Sequence, residues 1–259
     1  MKTVSMFGLG WLGLPLAKKL ASSEWTVLGT VRSQEKAETI SMVGITVYPF
    51  HFPENSAPDA LFESDAAIIT LPPGKSDSYL ALISHLAEKL ASSSIQHILF
   101  TSSTSVYPEC NAQVDETYKG VPDSETGKIL LEAERILFSI PNKTISVLRL
   151  GGLIGEGRNP GRFLSGKKNI PNPDCPVNLL KGEDAVEIIA QLVSNEKASE
   201  TYNIVSSEHP SRKDFYTKAT QDLGLEVPLF SHSDMQTWKL ISNQKILVRF
   251  PGFEFRTLG

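Results

Sequence analysis

The segment Phe7-Gly8-Leu9-Gly10-Trp11-Leu12-Gly13 restricts what this chain can fold into more than any other stretch. It matches G-x-G-x-x-G and follows an apolar run, Thr3–Phe7, whose β-branched residues favour a strand. Beyond it Leu12, Leu16 and Leu20 recur at helical spacing, and Trp25–Val31 reads as a second strand. Strand, tight glycine turn, helix and strand in that order make the βαβ unit of a dinucleotide site. Gly8 permits the tight turn, Gly10 lets the backbone approach a pyrophosphate, and Gly13 allows close helix packing, with phosphate charge facing the helix N-terminus. A glycine-rich turn without a ligand is the competing reading, and the register of all four elements argues against it.

The rest of the chain repeats the alternation. A third strand is expected near Ile45–Tyr48. Ala66–Leu71 is a nearly unbroken apolar run closed by Pro72-Pro73, the pattern of a central strand buried on both faces. Ser78–Leu90 carries Leu82, Leu86 and Leu90 on a helical stripe, and Gln96–Thr101 restarts the sheet. A long helix over Thr126–Ser139 buries Ile129, Leu130, Ala133, Ile136 and Leu137, and Ile145–Leu150 is the next strand. From Gly151 to Pro176, Gly, Pro, Asn and Arg dominate, which predicts loops lining a site. Helices near Glu183–Val193 and Arg212–Leu223 and a strand at Tyr202–Val205 complete a smaller lobe. The expected fold is a Rossmann doubly wound parallel α/β sheet with helices on both faces. Residues 1–150 form its dinucleotide-binding domain, and 151–259 a C-terminal substrate lobe partly interleaved with the sheet.

At the end of the second strand an NAD site usually presents an acid to the ribose hydroxyls. Here the segment is Gly29-Thr30-Val31-Arg32-Ser33, with no acid until Glu35. A guanidinium with a hydroxyl neighbour suits a 2′-phosphate, so NADP is preferred over NAD, with a solvated surface arginine as the alternative. The candidate cofactor set is therefore Gly8, Gly10, Trp11, Leu12, Gly13, Arg32 and Ser33, joined by Leu71 and Pro72 at the end of the fourth strand.

Residues 97–107, His-Ile-Leu-Phe-Thr-Ser-Ser-Thr-Ser-Val-Tyr, put a run of hydroxyls at the carboxyl end of a strand, the edge where open α/β sheets bind ligands. Serines closing a strand are otherwise common turn residues. With this run come Leu148-Arg149, then Gly155-x-Gly157-Arg158, Glu183-Asp184-Ala185 and Tyr202-Asn203-Ile204. In these motifs the chain resembles the extended short-chain dehydrogenase/reductase family, also called the NAD-dependent epimerase/dehydratase family. The resemblance implies that Ser103 occupies the active-site Ser/Thr position, hydrogen-bonding a substrate oxygen beside the nicotinamide. It also implies that Lys128 is the family lysine, because Ile129-Leu130-Leu131-Glu132-Ala133-Glu134 follows it. The family's acid/base tyrosine stands four residues earlier, and here that residue is Ser124. None of the six tyrosines has a lysine four places on. A serine hydroxyl is a poor general acid or base, so Tyr107 or Tyr118 remains as another proton source. Lys128 also shares a helix face with Glu132 and Arg135, which leaves a solvated surface lysine as its alternative.

On the substrate side, Gly157-Arg158-Asn159-Pro160-Gly161-Arg162 brings two guanidinium groups into one loop, able to clamp a phosphate or carboxylate or to serve surface ion pairs. Tyr107, Arg158 and Arg162 form the candidate substrate set, with Asn178 and His209 as weaker members. Cys110 and Cys175 lack zinc or redox spacing, and no metal site is expected. A net charge of −4 without a Lys/Arg block points away from nucleic acid and membrane and towards a small-molecule partner in the cytoplasm. The N-terminal apolar run is too short for a span and reads as strand and turn. The family resemblance also raises a homodimer. Three functions compete: an NADP-dependent oxidoreductase or epimerase-like enzyme with a nonstandard proton donor, acting on a small polar or sugar-nucleotide-like substrate; a catalytically inactive NAD(P)-binding sensor or scaffold; and, from Gly8–Gly13 with Thr70-Leu71-Pro72-Pro73, a hydroxyacid dehydrogenase with a helical second half. The strand signals at 145–150 and 202–205 oppose the third.

Overall fold

A computed structural model describes residues 2–23, 25–41, 45–74, 76–195, 198–231 and 236–259. In chain order, β1 (Lys2–Phe7), α1 (Gly13–Ala21), β2 (Trp25–Val31), α2 (Gln34–Ser41) and β3 (Thr46–Pro49) come first. A 3₁₀ turn at Asp59–Phe62 leads to β4 (Ala66–Ile69), α3 (Ser76–Ala91) and β5 (His97–Ser103). A second 3₁₀ turn, Thr104–Val106, precedes β6 (Ala112–Val114), α4 (Glu125–Phe138), β7 (Thr144–Leu150) and β8 (Gly152–Ile154). Then follow α5 (Gly161–Leu164), β9 (Leu179–Lys181), α6 (Gly182–Asn195), β10 (Glu200–Ile204), α7 (Arg212–Gln221), β11 (Lys239–Ile241) and α8 (Gln244–Arg249).

Seven strands form one Rossmann sheet in the order β10-β7-β5-β4-β1-β2-β3, with β1 paired in parallel to both β2 and β4. β4 is apolar and buried at every position, as a strand covered on both faces must be. Leu16 and Leu20 of α1 are buried, as are Ile83, Leu86 and Leu90 of α3 and Leu130, Ala133 and Leu137 of α4. Each such leucine or isoleucine contributes on the order of 2 kcal/mol through removal of apolar surface from water. On α3 the stripe runs through Tyr79 and Ile83 instead of Leu82, which is only partly buried.

The chain divides into two compact units, one of residues 1–102, 128–148 and 186–201, the other of 103–127, 149–185 and 202–259. The divisions fall at the carboxyl ends of β5 and β7, inside β10, and within the first turns of α4 and α6. A single cut at residue 150 does not describe this pattern. The second unit holds two short parallel pairs, β8 with β9 and β6 with β11.

Two expectations need correction. The strand expected at Tyr202–Val205 runs Glu200–Ile204 and is the edge strand β10 of the main sheet. Most of α6 likewise packs in the first unit, burying Ile188, Ile189, Leu192 and Val193. The segment 34–41, with only Ala37 and Ile40 as buried apolar residues, showed too weak a period to be read as helix, yet it forms α2. β7 and β10 are strands, which excludes the reading with a helical second half. Among the described residues no helix is long and apolar enough to cross a membrane.

Candidate functional site

In the first unit, the glycine turn has three glycines with three different surroundings. Gly8 has φ +105°, a conformation that side chains rarely adopt, and its amide donates to Thr30 Oγ1 at 3.0 Å. At Gly13 a Cβ would stand 2.1 Å from the Gly8 carbonyl oxygen, so only glycine lets α1 pack there. At Gly10 a Cβ would meet nothing within 4 Å. Gly10 is exposed and stands three residues before α1, whose first turn has no side-chain cap and no acidic residue. An uncapped helix N-terminus with backbone exposed beside it is the arrangement that receives a pyrophosphate, so the residues present fit a dinucleotide.

Distant residues hold the turn. Thr70 donates its hydroxyl to the Gly8 carbonyl at 2.5 Å, and Leu9 donates its amide to the Thr30 carbonyl at 2.8 Å. Gly29 of β2 leaves room for the Leu9 side chain, which would lie 2.3 Å from a Cβ there. The Leu71 side chain closes on Gly8, while the Leu71 carbonyl accepts from the buried Tyr79 hydroxyl at 3.2 Å. Trp11 is partly buried, Leu12 buried, and Pro72 exposed after β4. At the carboxyl end of β2, Arg32 is exposed and makes no hydrogen bond or ion pair among the described residues. Ser33 Oγ accepts the Lys36 amide at 3.3 Å and so caps α2.

The second unit holds the hydroxyl cluster. Ser103 ends β5, and its Oγ accepts the Ser105 amide at 3.1 Å, capping the 3₁₀ turn. The Ser105 hydroxyl is buried with no hydrogen-bond partner among the described residues, a cost of roughly 1–3 kcal/mol when nothing answers it. Gly127 stands where a Cβ would be 2.1 Å from the Ser105 carbonyl oxygen, so this loop lies hard against the start of α4. Ser124 Oγ accepts the Gly127 amide at 3.0 Å. Its hydroxyl is the N-cap of α4. Lys128, in the first unit, is exposed on α4.

Tyr107 lies inside the fold. It is 2% exposed; its hydroxyl donates to Asn203 Oδ1 at 2.7 Å and accepts from Arg149 Nη1 at 2.8 Å. The Arg149 guanidinium also lies 4.9 Å from the centre of its ring. Burial pushes the phenol above its usual range against the pull of Arg149, and the hydroxyl both donates and accepts within the protein, bonds that tie the chain after β5 to β7 and β10. Around it, Glu116 accepts the Asn203 amide at 2.7 Å, and Lys239 donates to the Tyr107 carbonyl at 2.6 Å while pairing with Glu109 at 3.0 Å. Asn178 serves this frame too, donating to the Lys239 carbonyl and accepting the Ile241 amide, both at 2.9 Å. A lone arginine in the buried run Thr144–Leu150 was the available signal for this network, since a buried cation demands partners.

Arg158 and Arg162 are both exposed in one short turn-and-helix unit, where Gly155 and Arg158 exchange backbone hydrogen bonds at 2.9 and 3.3 Å. Tyr118 is 36% exposed, and its ring meets Tyr107 edge-on at 6.4 Å. His209 Nδ1 donates to the Val177 carbonyl at 3.1 Å, and burial lowers its pKa below the ordinary histidine value. Both cysteines are free. Among the described residues no group of three or more His, Cys, Asp or Glu side chains is arranged around a metal position.

No protein-family model matches the chain. Over 266 aligned residues it is 38% identical to Protein YeeZ of Escherichia coli K12, covering 99% of this chain and 96% of that one. Two solved structures share the fold. A protein from Methylobacillus flagellatus assigned as an NAD-dependent epimerase/dehydratase superposes with a TM-score of 0.81 at 23% identity, over 98% of this chain and 93% of that one. UDP-glucuronic acid 4-epimerase from Bacillus cereus, in complex with UDP-glucuronic acid and NAD, gives 0.81 at 16% identity, over 99% and 95%. With a Rossmann sheet shared with these structures, identity to YeeZ over nearly the full length of both chains means that the protein belongs to the YeeZ family.

Proposed function

We propose that the protein binds NADP(H) in preference to NAD(H) at the Gly8–Gly13 turn and acts as an oxidoreductase or epimerase-like enzyme on a small polar, sugar-nucleotide-like substrate. The observation that carries this reading is the open space around Gly10, just before the uncapped start of α1. The likeness in fold to an epimerase solved with UDP-glucuronic acid and NAD supports it. When bound, the nicotinamide supplies hydride transfer. Arg32, exposed and uncommitted among the described residues, is the group to meet a ribose 2′-phosphate. Ser33 supplies a second donor, because its hydroxyl only accepts in the cap on α2 and keeps its proton. Ser103 supplies a hydroxyl for a substrate oxygen, and Arg158 and Arg162 supply cationic charge for an anionic group. Tyr118, the exposed phenol of the second unit, is the proton donor that this arrangement leaves open.

The test is calorimetric titration of the full chain and of Arg32→Asp with NADPH and NADH. NADPH binding that is tighter than NADH binding and falls about tenfold or more in the variant supports the reading. Equal affinity for the two dinucleotides in both proteins removes the NADP preference, and no binding of either removes the whole proposal.

A second reading is a sensor or scaffold that binds the dinucleotide without turnover. The capping role of Ser124 at the tyrosine position favours it. It requires that oxidised and reduced cofactor bind unequally or alter the conformation, because equal affinities shift no equilibrium.

A further inference from the structure

Two threonines flank the glycine turn, and neither belongs to the G-x-G-x-x-G pattern. Thr30 stands on β2 and Thr70 directly follows β4, the strands on either side of β1. Each gives the turn one backbone group and one side-chain group. In the Phe7–Gly8 peptide, the Gly8 amide donates to Thr30 Oγ1 at 3.0 Å and the Phe7 carbonyl accepts the Thr70 amide at 2.9 Å. In the next peptide, Gly8–Leu9, the Leu9 amide donates to the Thr30 carbonyl at 2.8 Å and the Gly8 carbonyl accepts the Thr70 hydroxyl at 2.5 Å. Two successive planar groups are thus each held at both ends.

What they hold explains why a clamp is needed. Gly8 sits at φ +105°, and glycine has more backbone freedom to lose than any other residue, so this conformation persists only where neighbours fix it. Thr70 is itself fixed. The carbonyl of the next residue, Leu71, accepts the Tyr79 hydroxyl from α3 at 3.2 Å, and Thr70 Oγ1 stands 2.8 Å from where a Cβ on Gly13 would lie. One hydroxyl therefore meets the end of β4, the turn and the first residue of α1. A turn ordered before the ligand arrives loses less entropy on binding. A Gly8 carbonyl without Thr70 is free to rotate with its peptide, and the amides after it then lose their common direction towards a phosphate.

We propose that Thr70, with Thr30 opposite it, is a positioning residue for the dinucleotide pyrophosphate: its hydroxyl sets affinity by keeping the two Gly8 peptides oriented, without touching the ligand. This rests on the dinucleotide reading above, and the experiment separates the two. NADPH and NADH are titrated calorimetrically into the full chain, Thr70→Val and Thr70→Ser, well below the Tm of each. Valine keeps the bulk and removes the hydroxyl, whereas serine keeps the hydroxyl and removes the methyl group. For the dinucleotide that the wild-type protein binds more tightly, affinity should fall about tenfold or more in folded Thr70→Val and stay within about threefold in Thr70→Ser. A role in stability alone would lower the Tm of Thr70→Val and leave the affinity of the folded protein unchanged. In the wild-type protein without dinucleotide, the Gly8 and Leu9 amides should be protected from hydrogen exchange, which keeps the test decisive if Thr70→Val fails to fold. Wild-type affinity in folded Thr70→Val, an equal loss in Thr70→Ser, or exchange of both amides at the rate of an unstructured chain would each overturn this inference and leave the dinucleotide reading standing. Absence of binding of either dinucleotide by the wild-type protein would overturn both.

Discussion

Among single residues, glycines at three positions of one turn do three different things, and two of them separate cleanly by experiment. Gly13→Ala drives a methyl group into the Gly8 carbonyl and should cost about 1–3 kcal/mol of stability, read as a lower Tm. Gly10→Val adds bulk where no protein atom stands within 4 Å, so stability should change by about 0.5 kcal/mol or less. Its affinity for NADPH should nonetheless fall about tenfold or more. A Gly10→Val protein that binds the dinucleotide normally would mean that no pyrophosphate passes over this turn. The buried phenol of Tyr107 gives a second residue-level expectation. Tyr107→Phe removes the hydroxyl that Asn203 Oδ1 accepts from and one hydrogen bond of Arg149, and should lower stability by roughly 1–3 kcal/mol in denaturant unfolding.

Elements set where these residues stand. Helix α4 begins at a cap, Ser124, and tightens at Gly127 against the Ser105 carbonyl, so its first turn is fixed from two sides. Ser124→Ala should destabilise the protein by about 1 kcal/mol, with dinucleotide affinity unchanged. If a substrate turned over by the protein is found and Ser124→Ala abolishes turnover without a loss of stability, the capping role is not its main one. At the other end of β2, Ser33 performs the same service for α2. Two hydroxyls that looked chemical from their position in the sequence thus satisfy helix N-termini, which is the commonest work for serine before a helix. Helix α6 and strand β10 carry the chain back to the main sheet after 149–185, which is why neither unit is one continuous stretch of chain.

For the whole molecule, stability should depend on pH through His209. Burial holds its folded pKa below the ordinary value of 6.5, and the Val177 carbonyl opposes that shift. The unfolded chain then binds a proton more readily than the folded one. Stability is fully present above pH 6.5 and is lost as pH falls from 6.5 through the folded value. In His209→Asn this contribution is absent, so the Tm advantage of the wild-type protein over the variant should shrink between pH 8 and pH 5.5. A constant difference across that range would show that His209 does not titrate between the two states.

The sequence by itself determined the parallel α/β fold and the location of the glycine turn. Strand and helix periods and the strand-turn-helix context are local patterns, written in residues a few positions apart. Leu16 and Leu20, the run Ala66–Ile69 and the stripe Leu130-Ala133-Leu137 could be read in this way and are buried accordingly. Tertiary structure alone decided which side chains hold the turn and which hydroxyls are spoken for. Thr70 reaches Gly8 across 62 positions and Tyr107 reaches Asn203 across 96, and no local period records such pairs. Burial and pairing of this kind are set by packing between segments that the chain itself keeps far apart.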